Sequence, residues 1–114
     1  MNKVEFVKLI KEVVSSSAVD STIDNLENPP GRRPDKLLVD RSEWYKSLSE
    51  NDQEMMRNIL IEAVDESVFG FLCVLDGVRS ISNEGDTNNL KLSHGSTLLN
   101  DDNDELLHDI YSNV

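Results

Sequence analysis

The residues best suited to chemistry in this 114-residue chain cluster near its end. Asp101-Asp102-Asn103-Asp104-Glu105 is rich in oxygen donors. A calcium loop needs such donors at alternating positions, with a glycine for the sharp turn and a distal bidentate Glu. This stretch lacks both the glycine and the distal Glu, so acidic residues at the start of a helix are the plainer reading. Glu105 and His108 stand three apart, a spacing that lets both side chains converge on one metal in helical bundles. With Asp109, and with His94 as the chain's other histidine, they define an alternative reading as a small metal-dependent hydrolase. One Glu-His pair without further ligands is a weak signal, and no catalytic residue, metal or cofactor is assigned from it.

Nucleophilic chemistry has less to stand on. Cys73 lies among Phe, Leu and Val, where a thiolate is disfavoured. The serines lack the nucleophile-elbow pattern, and the glycines at 31, 70, 77, 85 and 95 are scattered singly, so no phosphate loop or dinucleotide fingerprint is formed.

Charge is the strongest compositional fact. Twenty-two acidic residues against eleven basic give a formal net charge of −11. Such a balance opposes nucleic-acid binding, which needs clustered Lys and Arg. It suits a basic protein partner, whose encounter opposite charge would speed and orient. The expected contact residues are Glu62, Asp65 and Glu66 on one helix face, and Asp101, Asp102 and Asp104 in the acidic turn. Arg32 and Arg33, stiffened between prolines in the 28–36 loop, are the counter-signed candidates. The expectation is a small acidic protein that acts by protein–protein binding, in one version an inhibitor or immunity-type protein.

The elements that must position these residues are organised around 53–76. Met56, Leu60, Val64, Val68, Phe71, Leu72 and Leu75 recur at three and four residues, the period of a helix. From Val68 to Leu75 the apolar residues run nearly all round, which predicts a central helix covered on every side. Ser49 fits its N-cap and Gly77 its left-handed C′ position, and Gly70 predicts a close approach by another element in preference to a kink. Before it, Asn2 and Glu5 form a capping-box pattern ahead of a helix over 4–14, with Lys3, Lys8, Lys11 and Glu12 facing out. Val19, Ile23 and Leu26 either continue that helix or restart it, and Pro29-Pro30-Gly31 ends it.

Leu37-Leu38-Val39 reads as extended, leading to a brief helix anchored in the core by Trp44 and Leu48. After Gly77 come a short strand at Val78–Ile81, a polar loop over 82–89, and a hairpin of Leu90–Leu92 with Thr97–Leu99 about a His94-Gly95 turn. A last helix holds Leu106, Leu107, Ile110 and Tyr111, capped by Asp102 or Asn103.

The fold class expected is α+β and predominantly helical, as one domain over 1–114. Its core is expected to hold Phe6, Ile10, Leu60, Val64, Val68, Phe71, Leu72, Leu75 and Leu107. No run approaches the roughly 20 apolar residues of a membrane span. The charged N-terminus reads as lacking a signal peptide. One cysteine suits a reducing cytoplasm. Apolar residues on more than one face of the first helix predict a homodimer that uses it.

Overall fold

The computed structural model describes residues 1–82 and 90–114; of the expected 82–89 loop, all but Ser82 lies outside the described residues. The fold is mostly helical with one two-stranded antiparallel sheet. α1 (Lys3–Ile10) runs through π-helical turns at Lys11–Ser16 into α2 (Ser17–Glu27); α3 (Lys36–Ser47) and α4 (Glu50–Leu75) follow. The strands β1 (Ser93–His94) and β2 (Thr97–Leu98) precede α5 (Leu107–Ser112). No described helix is long and apolar enough to cross a membrane.

The first three segments form one continuous helix, and the π turns have a cause. The inward positions Val7, Lys11, Ser15, Val19 and Ile23 recur every four residues. At 3.6 residues per turn, each such step drifts about 40° round an α-helix. Wider turns at Lys11–Ser16 absorb part of that drift and keep the five positions in line. Lys3 and Lys11 therefore turn inward rather than out, while Val4, Val13 and Val14 are exposed.

α4 shows the same drift uncorrected. Met56, Leu60, Val64, Val68 and Leu72 are also four apart, so Leu72 points roughly 160° away from Met56. The first half of α4 thus packs Met56, Leu60 and Val64 on Val19, Ile23, Leu26 and Tyr45. Its second half packs Val68, Phe69 and Leu75, with Leu72, around Val7, Leu107, Ile110 and Tyr111. There are two clusters on different sides of one helix. The molecule is accordingly drawn out to 49 × 31 × 27 Å, with a radius of gyration of 18.0 Å where a compact chain of this length has about 13 Å.

This corrects the expected core. Leu72 and Leu107 are buried, but Phe71 is 62% exposed, and Phe6, Ile10, Leu60, Val64, Val68 and Leu75 are only partly covered. The apolar residues encircle α4 because its inward direction rotates along the helix, not because every side is covered. On α3, Tyr45 takes the place expected for Trp44: Tyr45 is 5% exposed and Trp44 51%. Leu37, Leu38 and Val39 are helical, since α3 begins at Lys36 directly after Pro34-Asp35.

The ends of α4 follow their expected chemistry. Ser49 Oγ accepts from Asp52 N, and at the other end Gly77 adopts φ 77°. The Val78 amide donates to the Cys73 carbonyl and the Gly77 amide to that of Val74, the Schellman pair. Asn2 and Glu5 cap α1 reciprocally. Val78–Ile81 is not a strand; Arg79 folds back over Gly70, where a Cβ would collide with its guanidinium. The hairpin is shorter than expected, pairing Ser93 with Leu98 and His94 with Thr97. Asn100 ties it to α4, accepting from the Leu92 amide and donating to the Leu75 and Leu90 carbonyls.

Candidate functional site

Most residues with chemical potential are spent on holding the elements together. Asp76, whose side chain is wholly buried, accepts from the Leu107 and His108 amides at 3.2 and 2.9 Å. It therefore caps α5 across the fold, replacing the expected cap at Asp102 or Asn103. The same carboxylate lies 2.6 Å from His108 Nδ1, so the imidazole carries its proton there and donates. Phe69 packs edge-on against the ring. His108 is thus directed at Asp76 and, through Nε2, lies 3.3 Å from Asp109. Glu105 instead lends its backbone carbonyl to Lys3. His94 is exposed on β1. Among the described residues no three His, Cys, Asp or Glu side chains are grouped to hold a metal ion.

The acidic turn is organised by a lysine. Lys3 Nζ donates to the carbonyls of Asp101, Asn103 and Glu105 at 2.8, 2.6 and 3.2 Å and pairs with the Asp101 carboxylate. The oxygens that resembled a cation loop close round the chain's own ammonium. Asp101 is thereby engaged within the chain, while Asp102 and Asp104 remain exposed.

A second internal network joins the π turns to α4 and α5. Lys11 Nζ lies 2.8 Å from Asp65 Oδ1 and 4.5 Å from the Tyr111 ring centroid. Tyr111 Oη donates to Asp65 at 2.7 Å, which spends its single proton, so buried Ser15 Oγ must donate to Tyr111 at 2.6 Å. Burial is the largest single influence and opposes the charge on Asp65 and on Lys11, yet their mutual hydrogen bond, the contacts with Tyr111 and the opposite charges together outweigh it. Asp65 sits below the usual carboxylate range and Lys11 above the usual ammonium range. Burial pushes the Tyr111 phenol and the Cys73 thiol up. A phenol and a thiol held protonated are poor nucleophiles, which suits a structural role for both.

Of the expected contact residues, Glu62 and Glu66 are exposed, and they make no ion pair among the described residues. At about 100° per residue they lie on the far side of α4 from Phe71. Asp65 between them is turned inward. Arg32 and Arg33 are exposed in the loop before α3, with no ion pair among the described residues. About 15 Å of helix separates Glu66 from Asp76 at the end of α4, so the helix face and the acidic turn are distinct surfaces.

One unfilled feature is almost wholly apolar. α1 and α4 both pack on α5 and splay apart from each other, leaving a groove of about 330 Å³. Phe6, Ile10 and Val14 form one wall; Val68, Leu72 and Leu75 form the other, and Leu92 closes one end. Phe71 stands at the lip, and among the described residues Ser67 is the only polar one lining it. Leu9 on α1 and Val13 in the π turns that continue it, both exposed and four residues apart, continue the apolar surface past the first wall. The sequence held a signal for this site. Apolar residues on several faces of both helices mark either complete burial or a surface awaiting cover, and the pattern alone does not separate the two.

No protein-family model, curated protein or solved structure matches this chain.

Proposed function

We propose that the protein acts by binding other protein chains. The observation that carries this reading is the open groove between α1 and α4, where a phenylalanine on a core-like helix face meets solvent. A contiguous apolar patch of this kind on a small domain marks an interaction surface. The groups that would otherwise suggest catalysis have structural partners: Asp76 with His108, Asp65 with Lys11 and Tyr111, Asp101 with Lys3.

The net charge of −11 favours a basic partner, in the manner of an inhibitor or immunity-type protein of a reducing cytoplasm. Glu62 and Glu66 on the outer face of α4, with Asp102 and Asp104 in the turn, supply exposed carboxylates to steer it. Affinity capture from native lysate at low and at physiological salt tests this. The expected result is a basic protein retained more strongly at low salt and lost from the Glu62→Lys/Glu66→Lys variant. Capture of nothing basic at either salt, or capture indifferent to the charge reversal, would remove the support for this partner class.

A further inference from the structure

The accessible surface of the chain is 8019 Å², whereas a compact monomer of 12.9 kDa exposes about 6,300 Å². The excess, about 1,700 Å², is twice the roughly 800 Å² that each partner of a stable complex buries. Phe71, Leu9 and Val13 are exposed at the groove, and among the described residues its lining holds no charged group with which to read the sign of a partner. The exposed carboxylates Glu62 and Glu66 are on the other side of α4. A basic partner and the groove are therefore matched to different surfaces.

What the groove does match is a helix with an apolar ridge of i, i+4 spacing. The chain carries one beside it: Leu9 on α1 and Val13 in the π turns that continue it, both exposed. Ridge and groove lie next to each other on one face, the self-complementary arrangement a two-fold contact requires. We infer that the groove is filled by α1 and the π turns of a second copy of this chain, the Leu9/Val13 ridge of each protomer seating beside Phe71 of the other.

This inference rests on the reading of the groove as a protein-docking surface and names its occupant. Two chains of charge −11 repel, and salt screens that repulsion, with a Debye length of about 8 Å at physiological ionic strength. Self-association therefore tightens with salt, while capture of a basic partner weakens. The two events are separable by the sign of one dependence.

The test is light scattering on the full chain over a range of concentrations at low and high salt. The expected mass rises from 12.9 kDa towards twice that value, at lower concentration when salt is added. Phe71→Asp and Val13→Asp, on different helices and both at exposed positions, should each raise the dimer Kd at least about thirtyfold, the scale of a central interface residue. Trp44→Ala, an equally exposed aromatic on α3, should leave it unchanged. A mass fixed at 12.9 kDa in all conditions overturns the inference, as does a dimer indifferent to both substitutions. If the chain stays monomeric while Phe71→Asp abolishes binding of a captured protein, the groove docks a foreign chain: the second copy is excluded and the docking reading stands. If neither self-association nor groove-dependent capture occurs, both fall.

Discussion

The two halves of α4 carry the same kind of sequence and meet different fates. Around its first half, Met56, Leu60 and Val64 are met by α2 and by Tyr45 of α3 and are half-buried. Around its second half, α5 and Val7 of α1 cover Leu72, but nothing among the described residues lies over Phe71. The difference comes from geometry rather than composition. Four-residue spacing turns the inward direction about 40° per step, so one helix needs covering elements on two sides. The chain supplies α2 to one and α1 with α5 to the other. Where α1 splays from α4, the second side is only partly closed. An apolar periodicity thus states that a helix is amphipathic and leaves open which molecule covers its apolar side.

The largest effect that sharpens this contrast is expected between neighbours. Leu72→Ala, at a site 2% exposed, should destabilise the fold by about 2–5 kcal/mol in urea unfolding. Phe71→Ala, one residue away, should cost under about 1 kcal/mol at dilute protein, the scale of a surface change. Its cost should grow with protein concentration as self-association contributes stability by mass action. Equal losses for the two at high dilution would mean that Phe71 is covered as fully as Leu72.

A smaller effect probes how α4 is tied to the π turns. Asp65 has its pKa depressed in the folded chain, below 3.8, so its contribution is present above the unfolded value and lost as pH falls through the folded one. Lys11 is raised above 10.5, so its contribution is present below that value and lost as pH rises through the folded one. Solvent reaches a third of the Asp65 side chain, which keeps the gain under about 1 kcal/mol. The stability gap between the wild type and Asp65→Asn should therefore be widest near neutral pH and narrow in strong acid. Urea midpoints across the acid range measure it, and a gap that is unchanged in acid would contradict the assignment.

Legibility in the sequence followed the range of the interaction. Local chemistry was readable: the Asn2/Glu5 capping box, Ser49 before α4, Gly77 after it, and Gly70 where Arg79 crosses. The mostly helical fold with one small hairpin was readable from periodicity. Contacts between distant residues were not. Asp76 caps a helix that starts 31 residues later, and Lys3 fills a loop about 100 residues away. Neither leaves a local pattern, so the acidic turn read as a free surface or a cation loop. Trp44 and Tyr45 exchange roles because adjacent residues on a helix differ by about 100°, and the neighbours that choose the inward one, Val19, Ile23 and Leu26, are distant in sequence.

The central claim is that the groove between α1 and α4 is where this chain meets a second copy of itself, although α3 exposes apolar side chains too. Leu37 and Trp44 are as exposed as residues around the groove, but Lys36, Asp40 and Arg41 surround them on α3. Side-chain NMR of the full chain over a dilution series compares the two surfaces in one experiment. The account predicts that resonances of Phe71, Leu9 and Val13 shift with concentration and return on dilution, while those of Leu37 and Trp44 stay fixed. Shifts centred on Trp44, or none at any concentration, would contradict it.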